Sequence, residues 1–425
     1  GRSVAPQRIA DTETHQRRGF DGSRCGFNRA SQMIDKAPTA AFCRTLLCVV
    51  FASSLLAGCA HETDIAQKAL LDTIRKRYVP DSRLGVFDVT FENGRLVGKT
   101  TSLKAKEELL KAFGQAAYGV CLLPDTGGLD VNTFGFVRVP IATLYKAPSY
   151  TSSVQTQSVL GTPVRILQKD GWLQVKLPDG YVAWAVPEQI ISCDEASYKR
   201  ITAREPWLVT ATQTALFEKP DMSSQRLGLL PAGARLYPTK ESADVWTGVE
   251  LADGTRGFVS SRDIQSLTGL LKRWDDLRKD SARYAKALTH LAKSLLGQSY
   301  LWGGTSTFAV DCSGFTQTVY RQTGVLLPRD ADMQATVGVE VKKPFSPGDL
   351  LFFGAKAKDG SPESIRHVAL SLGGDKFIHA RGHVRLASFS PQDPDFDAYE
   401  AARFLKAMRP NPANLPRLTH EDEQR

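Results

Sequence analysis

One stretch of this chain is written twice. "LYKAPS" at Leu144–Ser149 returns as "LFEKPD" at Leu216–Asp221, and "GWLQVKLPDGYVAW" at Gly171–Trp184 returns as "VWTGVELADGTRGF" at Val245–Phe258. Trp172 aligns with Trp246 and Asp179-Gly180 with Asp253-Gly254, both at an offset of 74 residues. Each copy alternates apolar and polar residues in short runs and turns on an Asp-Gly pair. Two such units in tandem imply two small β-barrels. Trp172 and Trp246 read as barrel core. Tyr181 and Trp184 stand beside a turn, where aromatics also line grooves.

At 425 residues the chain exceeds one ordinary core, so further domains must flank the repeat. The formal net charge of +9 is mild for this length, and no Lys/Arg block dominates any domain. That balance argues against a nucleic-acid partner. The first 32 residues are polar, Arg-rich and aperiodic, and read as a non-native or disordered extension. From Met33 a short basic segment leads into an apolar run from Thr45, ending in Leu56-Ala57-Gly58-Cys59. The layout is that of a secretory signal peptide, too short and too abruptly ended for a membrane span.

Ahead of the barrels, residues 60–130 read as a small α/β domain without visible chemistry. Ile65, Ala69, Leu70 and Ile74 recur on one helical face, and Asn93-Gly94 turns a hairpin. A second helix follows, with Ser102 near its start and Gly114 at its end. Behind the barrels, residues 269–284 form a helical linker, and a final domain spans 285–410 before a tail at 411–425.

The chemistry concentrates in that final domain. "CSGFTQTVYRQTG" has helical spacing with Gly324 as the stop, so Cys312 sits at a helix N-terminus, where free N–H groups favour a thiolate. Alone, that feature fits a buried structural cysteine at least as well. "HVALSLGGDKFIHA" reads as a hairpin presenting His367 and His379. A cysteine nucleophile needs a base, and the base needs an orienting group. A helix-start cysteine, a strand histidine and a next-strand polar residue form the papain-like arrangement, here with histidine as the orienting group in place of Asn or Asp. A Cys-His-His metal set, with His383 nearby, is the competing reading. No C-x-x-C occurs, so a structural zinc site is not expected.

Six blocks follow in order within residues 285–410: "YLWGGTS", "DCSGF", "LPRDA", "PGDLLFF", "HVALSLG" and "FIHARG". They resemble the NlpC-type cell-wall cysteine peptidases, a papain-like family. The repeat resembles bacterial SH3-like domains, over 131–200 and 205–268. With both barrels ahead of the peptidase domain, the chain resembles γ-D-glutamyl-L-diamino acid endopeptidases, which cut peptidoglycan stem peptides. The "LAGC" at Leu56–Cys59 resembles the bacterial lipobox closing a signal peptide at 33–59. The implied fold class is α+β: a papain-like catalytic domain preceded by two SH3-like barrels and a small α/β domain.

The resemblance implies roles. Cys312 would be the nucleophile, His367 the base and His379 its orienting group. Tyr300 would help bind the oxyanion, while Asp311, Ser313, Arg329 and Asp330 match substrate-contacting positions. Asp330 would read the ammonium of a free N-terminal L-Ala. Ala331 replaces a serine of some relatives, and Tyr181 is the candidate aromatic lent by the first barrel. Asp349 in "PGDLLFF" is read as a turn residue. No cofactor or metal is implied. Cys59 would be lipidated, which implies an exported lipoprotein on the outer membrane of a Gram-negative bacterium, facing the periplasm. In that oxidising compartment Cys121 and Cys193 could form a disulfide. Partners would be peptidoglycan-derived peptides and the membrane, through the lipid. The alternatives are a catalytically silent wall-binding lipoprotein and a papain-like thiol acyltransferase.

Overall fold

Short strands with Asp-Gly turns give antiparallel sheet, and the repeat folds accordingly. A computed structural model of the chain describes residues 65–358 and 360–419. The proposed lipidation site Cys59, the signal segment and the extension before it lie outside the described residues. No helix among the described residues is long and apolar enough to cross a membrane.

The first barrel is a seven-stranded sheet. Its order is Ile190–Cys193, Phe134–Val137, Pro163–Asp170, Trp172–Lys176, Val182–Ala185, Ile141–Tyr145 and Val154–Val159. The second barrel has the order Ile264–Ser266, Trp207–Val209, Arg235–Ala243, Trp246–Glu250, Arg256–Ser260, Gln213–Phe217 and Arg226–Pro231. Strand for strand the two connections are the same, so the written repeat is a repeat of topology. Val137, Leu144, Ile166 and Val175 fill the first core. Leu216, Leu236, Val249 and Val259 fill the second. Trp172 and Trp246 are not core residues, contrary to the sequence reading. Both are half-buried. Each stacks edge-on against an aromatic of the neighbouring "L-Y/F" strand, Tyr145 or Phe217, at 5.4 and 5.6 Å between centroids. Smaller branched side chains close the narrow barrel interior instead.

Upstream, a helix over 65–78 packs on a three-stranded sheet. Strands Phe87–Glu92 and Arg95–Thr100 form a hairpin through Asn93-Gly94, and Gly119–Leu122 joins in parallel. Helix Leu103–Phe113 is capped by the Ser102 hydroxyl, which accepts from Ala105 N, and by Gly114. Leu71, Ile74, Val89, Leu96 and Leu109 form its core. Cys121 and Cys193 are both free thiols, which corrects the proposed disulfide. Cys121 lies on the edge strand of the three-stranded sheet and Cys193 at the end of a first-barrel strand. Each is held by the pairing of a different sheet.

Downstream, helices Leu267–Arg278 and Ser281–Lys293 lead into a nine-stranded sheet. Its centre is Lys376–Arg381, Ser364–Gly373 and Leu350–Ala355, all antiparallel. Leu350–Ala355 is buried on both faces. Leu350 and Phe352 meet the core in front, with Phe315, Val319 and Val368. Leu351 and Phe353 meet Phe377, Ala387 and Ala407 behind. Helix Cys312–Arg321 packs across the front of this sheet.

Candidate active site

Local rules set Cys312 in place. Asp311 is the N-cap of helix Cys312–Arg321, and its carboxylate accepts from Gly314 N at 2.7 Å. Gly314 is obligatory in this packing, because a Cβ there would lie 1.9 Å from Gly304 O. The helix start therefore docks directly against the "WGG" turn. The backbone N–H groups of Ser313 and of Val368, the residue after His367, point at the Cys312 sulfur. That contact ties the helix to the histidine-bearing strand.

His367 and His379 stand on adjacent antiparallel strands, and His367 Nε2 and His379 Nδ1 are 2.8 Å apart, at hydrogen-bond distance. Both rings are buried. Phe353 and Phe377 hold them from behind, at 5.8 and 5.4 Å between centroids. Burial, reinforced by His379 in the one case and by Arg385 in the other, pulls His367 and His379 down to about 3. Burial first, then Asp311, pushes the Cys312 thiol up to about 12. The resting pair is thus thiol and neutral imidazole. The helix terminus does not make the thiolate the resting form, because desolvation and the Asp311 cap outweigh it. Sequence reasoning about the dipole alone missed that balance.

A cleft of about 540 Å³ opens over Cys312, lined by Tyr181, Tyr300, Trp302, Asp330 and Arg83 among others. Tyr300 is half-buried at its wall, and burial raises its phenol above the usual range, so it remains a hydroxyl donor. Asp330 occupies the N-cap position of the short helix Ala331–Gln334 but makes no capping bond. Its Oδ2 accepts instead from Tyr181 Oη at 3.2 Å and from Arg83 Nη1 at 2.9 Å. The Tyr181 hydroxyl also meets Gln155 Oε1 at 3.3 Å. Tyr181 comes from the turn before first-barrel strand Val182–Ala185, where Asp179 Oδ1 accepts from Tyr181 N at 3.1 Å. Asp179 Oδ2 accepts from Gln317 on the Cys312 helix at 2.8 Å. The barrel turn is therefore keyed into the catalytic helix.

Arg329, Asp311 and Ser313 line the same cleft. Arg329 is almost wholly buried and donates to Asp311 at 2.6 and 3.2 Å, to Ser313 Oγ at 3.0 Å and to Thr156 Oγ1 at 3.0 Å. Its donors, the Asp311 carboxylate and the Ser313 hydroxyl are engaged with one another in the cleft lining. Burial disfavours the Arg329 charge, and Asp311 restores it. The buried Asp349 pairs with the exposed Arg409 at 2.7 Å, away from the cleft.

Sequence reasoning missed Arg83, Gln155 and a charged group behind His379. His379 Nε2 is buried without a hydrogen-bond partner, 3.9 Å from Asp397 Oδ2. Asp397 itself is held by Arg385 at 2.6 Å. Among the described residues, His367, His379 and Glu400 are the one group with ligand atoms close enough for a metal ion, within 4.8 Å. His367 Nε2 and His379 Nδ1 are committed to each other, and His383 is exposed and outside the group.

Comparison with known proteins agrees with this geometry. Residues 297–399 match the NlpC/P60 family, and residues 144–190 match the bacterial dipeptidyl-peptidase SH3 domain. A γ-D-glutamyl-L-lysine dipeptidyl-peptidase of Bacillus cereus is 30% identical over 265 residues, covering 56% of this chain and 71% of that relative. Dipeptidyl-peptidase 6 of Lysinibacillus sphaericus is 26% identical over 266 residues, covering 60% and 91%. The crystal structure of an NlpC/P60 family protein from Bacillus cereus superposes with a TM-score of 0.54 at 25% identity, covering 65% of this chain and 99% of that one. A cysteine at a helix start, a histidine pair on the facing strands, and a cleft walled by an SH3-like barrel thus identify this chain as a member of the NlpC/P60 family of cysteine peptidases.

Proposed function

We propose that this protein hydrolyses the γ-D-glutamyl bond to the diamino acid in peptidoglycan stem peptides, acting on fragments with a free N-terminal L-Ala. The observation that carries the proposal is Asp330. It is a carboxylate at the end of the Cys312 cleft, held by a hydroxyl from the first barrel. The similar proteins are named dipeptidyl-peptidases. Release of a dipeptide requires that a free amino terminus be read, and a half-buried carboxylate is the group to read it.

Cys312 is the nucleophile and His367 the base. As the sulfur attacks the γ-carbonyl, its proton passes to His367 Nδ1. His367 Nε2–H then donates to His379 Nδ1, which holds the ring in plane and leaves the His379 proton on Nε2, facing Asp397. Tyr300, a protonated phenol, donates to the oxyanion. The imidazolium returns its proton to the departing α-amine of the diamino acid. Water then cleaves the thioester, with His367 again as base. Asp311, Arg329 and Ser313 hold the floor on which Cys312 sits.

The proposal extends to location. Cys59 in "LAGC" is a lipidation site, anchoring the mature protein at the periplasmic face of an outer membrane.

The test offers the purified protein L-Ala-γ-D-Glu-diaminopimelate and the same peptide N-acetylated, with products read by mass spectrometry and Cys312→Ala as control. L-Ala-D-Glu released from the free peptide alone, and lost in the variant, supports the proposal. Equal cleavage of both peptides removes the free-amine reading. No cleavage of either by folded protein removes the peptidase reading.

A further inference from the structure

We infer that Arg83 is a specificity-determining residue and that the N-terminal α/β domain is a third wall of the cleft. Its guanidinium holds Asp330 so that one carboxylate oxygen faces the substrate ammonium. The inference rests on the reading of Asp330 as the ammonium site.

The segment after the 65–78 helix is fastened to the first barrel. Val182 N donates to Arg83 O at 2.7 Å, directly after Tyr181 in the chain. Val86 packs with Leu123, Leu167 and Val182. Thus anchored, Arg83 reaches across to the peptidase domain. Nη1 donates to Asp330 Oδ2 and to Asp332 Oδ1, each at 2.9 Å. Nη2 donates to Asp332 Oδ2 at 2.8 Å and to Asp81 Oδ2 at 2.7 Å. Nε donates to Asp81 Oδ1 at 3.0 Å. Every guanidinium nitrogen is used, in the planar geometry that only arginine supplies.

Two consequences follow. First, the Arg83 cluster stays anionic, because one guanidinium stands among three carboxylates. The wider cleft lining balances Arg83, Arg329 and Arg366 against Asp311, Asp330 and Asp332, so the negative excess is local to the Arg83 cluster, where Asp81 adds its charge. Second, Asp330 is split into two unlike oxygens. Oδ2 is taken by Arg83 and Tyr181. Oδ1 has Arg329 Nη1 4.0 Å away and no hydrogen bond to it, so Oδ1 is the oxygen left for the ligand. The groups facing Asp330 are Arg83 with Asp81 from the N-terminal domain, Tyr181 from the barrel, and Asp332 and Arg329 with Asp311 from the peptidase domain. Burial pushes the Asp330 carboxyl up, while Arg329 and Arg83 pull it back. Without Arg83 the carboxyl rises further, and protonation silences it at a higher pH.

The experiment uses the full chain as wild type, Arg83→Gln and Arg83→Lys. KM and kcat are measured on the free and the N-acetylated tripeptide between pH 4 and 8. Arg83→Gln is expected to raise KM for the free peptide about tenfold, with the change in KM rather than kcat. It also moves the acid limb of KM to higher pH, because Asp330 then protonates earlier. Arg83→Lys returns the limb toward wild type but restores KM only in part, since lysine carries the charge without the fork. A purely structural role would move neither limb. Asp332→Asn loosens the same fork from an exposed position and shifts KM the same way by less, should Arg83→Gln not fold. If Arg83→Gln leaves both KM and its acid limb at wild-type values while the wild type still rejects the acetylated peptide, the role of Arg83 is overturned and that of Asp330 stands. If the wild type accepts both peptides alike, both readings are overturned.

Discussion

The two barrels are the same object in different company. Both turn on Asp-Gly, and in both the aspartate accepts from the backbone two residues on: Tyr181 N to Asp179 at 3.1 Å, Thr255 N to Asp253 at 2.9 Å. Both glycines take positive φ, 86° and 84°. The turn chemistry is thus fixed by geometry and is indifferent to position in the chain. What differs is the neighbour. In the first barrel the turn inserts beside the Cys312 helix, Asp179 accepts from Gln317, and the following residue is a tyrosine whose hydroxyl reaches Asp330. In the second barrel the following residue is the exposed Thr255, and Asp253 faces Arg138 at 3.5 Å. The second barrel instead braces the "GTST" turn from behind, through Ala232 N and Thr212 O on Thr307. One repeat became a wall of the Cys312 cleft and the other a buttress.

The sharpest way to break this comparison is at the residue the first barrel meets. Asp330→Asn is expected to cut the preference for free over acetylated tripeptide about a hundredfold, the scale of a lost charge-assisted contact. Kinetics on both peptides check it, and an unchanged preference would mean that the first barrel guards nothing. A finer test sets equivalent positions side by side. Tyr181→Phe should raise KM for the free peptide about fivefold by removing one hydroxyl from Asp330. Thr255→Val, at the same place in the second barrel, should leave KM unchanged. Equal effects would erase the distinction between wall and buttress.

A separate contrast concerns pH and the histidine pair. His367 and His379 titrate near 3 in the folded protein, against about 6.5 unfolded. Between those values the unfolded chain binds more protons, so their contribution is present above pH 6.5 and lost as pH falls toward 3. The melting temperature of the wild type should therefore drop more steeply between pH 6.5 and 4 than that of His379→Asn. Neither barrel carries such a pair, so this acid sensitivity belongs to the peptidase domain. Parallel slopes in the two proteins would contradict the neutral, buried pair.

Much of this architecture is legible in the sequence because its signals are local. The barrels announce themselves by a repeat, and the helix start at Cys312 by "DCSG", whose aspartate caps and whose glycine admits the Gly304 carbonyl. The histidine hairpin shows in its alternation and its Gly-Gly turn. Non-local features are silent. Arg83 and Asp330 are 247 positions apart, and no pattern in either segment marks the pairing. Asp397 looks like any helix cap until the fold brings it behind His379. Trp172 and Trp246 mislead because large aromatics suggest core, whereas a narrow barrel closes on smaller side chains. Cys121 and Cys193 mislead because flanking one predicted domain does not put two residues in the same sheet. Charge at Cys312 depends on burial, which spacing does not report.

Under the proposed function, Cys312 forms a thioester with peptides whose free amino terminus is read at Asp330, in a cleft lined in part by the first barrel. The most direct measurement is the intact mass of the protein, acid-quenched during turnover of the free tripeptide. The account predicts an adduct of the L-Ala-D-Glu acyl group, mapped to Cys312, absent with the acetylated peptide and absent in Cys312→Ala. An adduct on another residue, or product formed by Cys312→Ala, would contradict it.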